Sequence, residues 1–447
     1  MTENLDISKI DTTKSTNSRE ATCEQFALSN DKKKLKTSLR NANCELQELL
    51  VPSEIDTINV GIVGHIDHGK TTLLQRLSGK WADTHSEELK RGITIKLGYA
   101  DAIVYDEKGK LTVKKDSKGK PINYITFVDA PGHEMLMATM LSGAAIMDAA
   151  ILVIAANEGI KPQTQEHLIA LKAKKIKKII IVQNKIDLVS KEQALKNYED
   201  IKNFVKGTIA EDAPIIPVSA QQEVNLEKVL EELCKIKITK PTLTEKPLFL
   251  VARSFDINLP GTKIDNLHGG VLGGALKHGA LKIGDIIEIK PGYSYKKQNQ
   301  YHYKTVQSRI VSMQKGEYPV TEAFPGGSLA IETELDPNLT KADALSGSVA
   351  SLLGNLPEIT ETITIKFTLF KEVFGTGKHE PVQNLKTPET LMLSLNTSTT
   401  VGQTVKINED RAELNLKIPI VPLKGESIGI ARNFNNHWRL IGFGEIC

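Results

Sequence analysis

NVGIVGHIDHGKTTLLQRLSG, residues 59–79, is the stretch that decides the fold. NVGIVG (59–64) is a short apolar run ending in glycine, a polar turn follows, and TTLLQRLSG (71–79) reads as a helix. Between them, Gly64-His65-Ile66-Asp67-His68-Gly69-Lys70-Thr71 fits GxxxxGK[ST] in the strand–turn–helix setting that a phosphate-binding loop requires. Glycine lets the backbone wrap close to phosphates, and the amides at a helix N-terminus face an anion. In such a loop Lys70 reaches the β- and γ-phosphates and the Thr71 hydroxyl ligates Mg²⁺. Asp67, His68, Gly69 and Thr72 complete the expected cradle.

Further along the chain the texture repeats. YITFVDAPG (124–132), AAILVIAANEG (149–159), KKIIIVQNKIDL (177–188) and APIIPVSA (213–220) are apolar runs ending in turns. PQTQEHLIALKAKK (162–175) and KEQALKNYEDIKNFVKGTI (191–209) read as helices between them. Continuous apolar strands alternating with helices predict an α/β domain, its mostly parallel sheet covered by helices on both faces. After the proline-marked ITKPTLTEKP (238–247) the runs become short and glycine-punctuated, and a second β-rich block opens near Pro357 with TITIKFTLF (362–370). Both blocks read as β-barrels. The expected layout is a disordered tail over residues 1–55, a nucleotide-binding domain over 56–242, and barrels over 243–356 and 357–447.

Three more sets of residues carry chemistry. Asn184-Lys185-Ile186-Asp187 follows one apolar strand and Ser219-Ala220-Gln221 follows another. A carboxylate such as Asp187 accepts guanine N1–H and N2–H₂ together, a donor pair adenine lacks, so the site is expected to select GTP over ATP. Asn184 supports the base loop and the Lys185 stem covers the ring. Asp129-Ala130-Pro131-Gly132-His133 closes a strand. Asp129 is placed to hold Mg²⁺ through water, the Gly132 amide to sense the γ-phosphate, and His133 to orient the attacking water. A lone histidine is more often a surface group; beside DAPG the balance reverses. In Arg91-Gly92-Ile93-Thr94-Ile95, the Thr94 hydroxyl can complete the Mg²⁺ shell only while the γ-phosphate is present, which would make the segment an order–disorder switch; taken by itself the motif reads equally as a plain β-strand.

Composition narrows the class. The chain has 447 residues, 40% hydrophobic, with Lys+Arg 57 against Asp+Glu 54 and a net charge of +3. Non-specific nucleic-acid binding by charge alone is excluded, so any RNA must be held in local grooves. No apolar run is long enough for a membrane helix, and MTENLDISKIDTTKST lacks the apolar core of a signal peptide. Cys23, Cys44, Cys234 and Cys447 show no CxxC spacing and read as free thiols of a cytoplasmic protein.

GHIDHGKTT, RGITI, DAPGH and NKID, with the two β-domains, resemble the translational GTPases. WADTHSEELKRGITIKLGYADA (81–102), DAPGHEMLMATMLSGAAIMDAAILVIAANEG (129–159), PQTQEHL (162–168) and NKIDLVSKEQALKNY (184–198) narrow the resemblance to the gamma subunit of archaeal-type translation initiation factor 2, over about residues 56–447. LVARSFDINLPGT and GGVLGGALKHGALKIGDIIEIKPG (within 250–292) and HWRLIGFGEI (437–446) are similar to that family's second and third domains. The resemblance implies GTP and GDP binding with Mg²⁺, alpha and beta subunits as partners in a heterotrimer, and delivery of methionylated initiator tRNA to the small ribosomal subunit, with hydrolysis ending delivery. It places the acceptor end between the nucleotide domain and the second domain. It also implies a second Mg²⁺ near Asp67 and the Gly92 backbone, and an apolar pair, Ile66 and Ile93, screening His133.

Many members of that family carry a cysteine-rich zinc knuckle between the first switch and DAPGH. Here YDEKGKLTVKKDSKGKP (105–121) holds neither cysteine nor histidine, so a short lysine-bearing hairpin without zinc is expected. Two other readings share the nucleotide motifs: an elongation-type aminoacyl-tRNA carrier such as a selenocysteine-specific factor, and the GTPase subunit of a sulfate-activating enzyme. KAKKIKK (172–178) reads as the solvated end of a helix. Arg432 and Arg439 are candidates for contact with a tRNA backbone, against the commoner reading of surface charge.

Overall fold

The computed structural model describes residues 55–79, 97–114, 117–131, 137–237, 245–373, 380–434 and 437–447. Its first element is β1 (Asp56–Gly64), followed by α1 (Lys70–Ser78), β2 (Gly98–Glu107), β3 (Lys110–Thr112) and β4 (Lys120–Asp129). Then come α2 (Met137–Ala144), β5 (Ala149–Ala155), α3 (Pro162–Ala173), β6 (Ile179–Asn184), α4 (Lys191–Val205), β7 (Ile215–Pro217) and α5 (Leu226–Lys235). The seven strands form one sheet in the order β3-β2-β4-β1-β5-β6-β7. From β4 to β7 neighbours run parallel, while β2 pairs antiparallel with β4 and β3 with β2. Leu73, Leu74 and Leu77 of α1 and Val229 and Leu233 of α5 bury against one face; Met140 and Leu141 of α2, Leu168 of α3 and Ile201 of α4 bury against the other. Burial of each such side chain stabilises by about 1.5–3 kcal/mol.

Some elements differ from the sequence expectation. Apart from its last residues, which fall in the expected 105–121 hairpin, β2 is absent from it; its buried run, Ala100 and Ala102 to Val104, is short and half alanine and gives little hydrophobic signal. The helix expected to reach residue 209 stops at Val205; Lys206 leaves the helical conformation and Gly207 adopts φ 74°. The strand expected over 149–159 ends at Ala155, and Gly159 (φ 73°) closes the turn behind it. Residues 1–54, with the expected tail, lie outside the described set.

Two closed barrels follow. The first comprises β8 (Leu248–Phe255), β9 (Val271–His278), β10 (Ile286–Lys297), β11 (Gln300–Lys315), β12 (Leu329–Thr333) and β13 (Val349–Leu352), ordered β10-β13-β8-β9-β12-β11 and sealed by β10–β11 pairing. The second comprises β14 (Thr360–Leu369), β15 (Thr390–Leu395), β16 (Ser398–Asn408), β17 (Arg411–Ile420), β18 (Ser427–Phe434) and β19 (His437–Ile446), closed by β14–β19. Closure leaves no unpaired edge in either ring.

The barrels pack on the α/β domain. Leu250 and Val349 of the first and Val421 and Leu440 of the second share a continuous apolar core with α2, α3 and α4. At the first barrel, Thr126 Oγ1 accepts from the Ser328 amide at 3.0 Å and donates to Asp101 Oδ1 at 2.6 Å. Gly326 (φ 97°) lies so close that a Cβ there would sit 2.3 Å from Thr57 Oγ1. At the second barrel, Lys174 Nζ donates to Ser394 O at 3.1 Å and Lys175 pairs with Glu445 at 2.5 Å. The lysine run at 172–178 is therefore only partly solvated: Lys174 is buried, and desolvation lowers its pKa to about 8.

Candidate nucleotide-binding site

β1 has β4 on one side and β5 on the other, so the chain changes direction across the sheet at this strand. In an open α/β sheet, ligands bind in the crevice beyond the carboxyl ends at such a point. The phosphate loop leaves β1, Asp129 ends β4, Asn184 ends β6, and Ser219-Ala220 follow β7, so all four segments open on that edge.

The loop geometry follows from its glycines. Gly69 (φ 87°) precedes α1 and Asp67 also takes a positive φ, 61°. A Cβ on Gly69 would lie 2.4 Å from Asn184 Nδ2, so only glycine lets the phosphate loop and base loop approach this closely. Asn184 uses the space: its Nδ2 donates to His68 O at 2.9 Å, and its Oδ1 accepts from the Ala220 amide at 3.0 Å. One buried amide side chain thus binds three loops. Lys185 (φ 60°) pairs with Glu158 at 3.4 Å. Asp187 and Gln221 are exposed, while Ser219 and Ala220 are buried.

Thr71 Oγ1 and Asp129 Oδ2 stand 3.0 Å apart, with Asp129 fully buried. A hydroxyl and a carboxylate adjacent at the head of a phosphate loop are hard oxygen donors suited to Mg²⁺. Lys70 is buried and its Nζ donates to His65 O at 2.9 Å, which holds the ammonium inside the loop's curve. The donor set and glycine-permitted curvature fit a magnesium nucleotide. Thr72 lies beside Thr71 in the first turn of α1, half-buried.

Three histidines stiffen this loop. His68 is buried with Nδ1 3.2 Å from Val153 O, so Nδ1 carries the proton. Its ring meets His65 edge-on at 5.0 Å. His167 on α3 accepts the Gly64 amide on Nδ1 at 2.8 Å. Desolvation lowers His68 to about 4 and His167 to about 3, so both are neutral at pH 7. The role of His167 was not legible in the sequence: PQTQEHL marks a helix start, but nothing local shows that its histidine meets a loop 103 residues earlier.

Gly92, Ile93, Thr94, Gly132 and His133 lie outside the described residues. The two arginines proposed for a tRNA backbone are otherwise engaged. Arg432 pairs with Glu389 and donates to Gln383 O and Asn384 O. Arg439 is buried, 2.7 Å from Glu166 Oε1. Both guanidinium groups hold protein to protein, and sequence gives no view of such long-range partners.

A nucleotide edge of this kind, on an α/β domain that carries two six-stranded barrels, is the organisation of a translational GTPase. The family model for the elongation factor Tu GTP binding domain matches residues 55–238, and that for the C terminal of initiation factor eIF2 gamma matches residues 361–446. Translation initiation factor 2 subunit gamma of Methanococcus maripaludis is 51% identical over 409 residues, covering 89% of this chain and 100% of that protein. The subunit of the same name from Methanocaldococcus jannaschii is 50% identical over 398 residues, 87% of this chain and 97% of that one. The chain belongs to the family of translation initiation factor 2 subunit gamma, and it hydrolyses GTP in the initiation of protein synthesis. Among solved structures, a bacterial selenocysteine-specific elongation factor aligns with TM-score 0.69 and 25% identity, covering 88% of this chain; the chain spans 58% of that factor's length. The elongation factor SelB of Methanococcus maripaludis, solved with a GTP analogue, shares the fold at TM-score 0.65 and 22% identity.

Proposed function

We propose that this chain is the nucleotide-binding core of a heterotrimer, held with alpha and beta subunits, that carries methionylated initiator tRNA to the small ribosomal subunit in the cytoplasm. The observation that carries the reading is the 51% identity extending over the full length of an initiation factor gamma subunit. Domain limits of 56–242, 243–356 and 357–447 are part of the proposal, with residues 1–55 outside the resemblance.

In this reading Lys70 and the amides of Asp67 to Thr72 hold the phosphates, and Asp187 reads the guanine edge beside Asn184, Lys185, Ser219, Ala220 and Gln221. Thr71, Thr94 and Asp129 would hold Mg²⁺, with Asp67 and Gly92 at a second ion. Bound Mg²⁺ supplies charge neutralisation at the β- and γ-phosphates. His133 orients the water, and Gly132 senses the γ-phosphate. Zinc is not part of the reading, since residues 105–121 hold no cysteine or histidine.

A cavity of about 450 Å³ supports an adaptor site at the junction of all three domains; Thr139, Arg253, Tyr303, Asp343 and Ser398 are among its walls. Filter binding with the GTP-loaded chain and its alpha subunit is expected to retain methionylated initiator tRNA in preference to a methionylated elongator. Equal retention of the two returns the chain to a general carrier.

A further inference from the structure

The structure assigns a positioning role to Glu166 and Arg439: through adjacent residues of α3, the second barrel seats His167 against the phosphate loop and so sets the lifetime of bound nucleotide. The inference rests on the phosphate-loop reading above. His167 and Glu166 are consecutive but face opposite partners. His167 Nδ1 accepts the Gly64 amide at 2.8 Å, at the point where β1 turns into the loop. Glu166 Oε1 accepts from Arg439 Nη1 of β19 at 2.7 Å. The three side chains are buried, so neither contact is a loose surface pairing. The far end of α3 is held to the same barrel by Lys174 on Ser394 O and Lys175 on Glu445.

The Gly64 end of this chain of contacts has little slack. Gly64 adopts φ 144°, and a Cβ there would lie 2.4 Å from Val153 O. The His167 acceptor works only while the ring is neutral, as burial keeps it. A helix held to the barrel at Glu166 and just past its C-terminal end therefore carries an acceptor that fixes the first peptide of the phosphate loop. Loosening the barrel contact frees the helix to tilt, and the Gly64 amide loses its partner.

The test is stopped-flow release of fluorescent GDP and GTP from the full chain. His167→Phe removes the acceptor, and His167→Asn keeps one at the same distance from Cβ. Arg439→Met and Glu166→Gln break the ion pair with nearly preserved shape, and thermal melts establish that each variant is folded. Release is expected to quicken about tenfold in His167→Phe, Arg439→Met and Glu166→Gln, with His167→Asn close to the parent. The double variant Arg439→Met/His167→Phe is expected to release no faster than His167→Phe alone, since both act on one contact. Full multiplicative effects in the double variant, or unchanged release in both folded ion-pair variants, would overturn the inference. Failure of the parent chain to bind guanine nucleotide would instead defeat the phosphate-loop reading.

Discussion

Asn184 shows how much one side chain can organise. Its two hydrogen bonds, to His68 O and from the Ala220 amide, make the base loop and phosphate loop a single body. Asp187, three residues on, is exposed at that body's rim and free of the loop's internal bonding demands that occupy Asn184. Replacing Asp187 with Asn removes a charge-assisted pair worth about 1.5–3 kcal/mol. GTP affinity is expected to fall roughly 10- to 100-fold while xanthine nucleotides gain; a titration showing unaltered GTP affinity would deny Asp187 the base. His133→Ala is expected to leave GTP affinity intact and slow single-turnover hydrolysis by roughly 10²-fold or more; equal rates would remove it from the chemistry. His68 and His167 add a pH dependence of definite sign. Both are neutral when folded, at about 4 and about 3, against 6.5 when exposed. Between pH 6.5 and 4 the unfolded chain binds more protons, so their contribution is complete above 6.5 and declines as pH falls, by about 1.4 kcal/mol per unit for each histidine. Melting at pH 7 and pH 5 should show a lower midpoint at pH 5, and His167→Asn should shrink the difference; identical shifts in both proteins would contradict the assignment.

At the scale of elements, the parallel strands were legible because each is a continuous apolar run ending in a motif. β1, β4, β5 and β6 bury most of their side chains, and with the short β7 they deliver their loops to one edge. β2 was not legible, since a strand that buries Ala100 and Ala102 with Asp101 between them, and pairs antiparallel with both neighbours, carries no such signature. The interfaces were illegible for a deeper reason. Contacts such as Ser328 with Thr126, or Arg439 with Glu166, join residues 202 and 273 positions apart, and nothing in a local pattern encodes them. The Thr126 hydroxyl is the clearest case, since it is fully buried, accepting from one barrel residue and donating to Asp101. Thr126→Val keeps the shape and strips both bonds, which is expected to cost about 1–3 kcal/mol. Hydrogen exchange at the Ser328 amide should accelerate accordingly; unchanged protection there would show that another contact holds this barrel in place.

Across the whole molecule, a nucleotide edge and two barrels share one apolar core, and buried polar contacts join them: Thr397 Oγ1 donates to Val251 O at 2.9 Å between the barrels, and Lys174 and Arg439 link the second barrel to α3. In the proposed function a change at the nucleotide would reach the central cavity through these packed contacts. The family membership makes the chain a GTPase of initiation, and in the proposed function the γ-phosphate governs the hold on an adaptor RNA. The most direct measurement is the dissociation constant for labelled methionylated initiator tRNA, taken with the alpha subunit present, once with a non-hydrolysable GTP analogue and once with GDP. Binding at least tenfold tighter with the analogue, a coupling of about 1.4 kcal/mol, is the predicted result. Equal constants in the two nucleotide states would contradict the account.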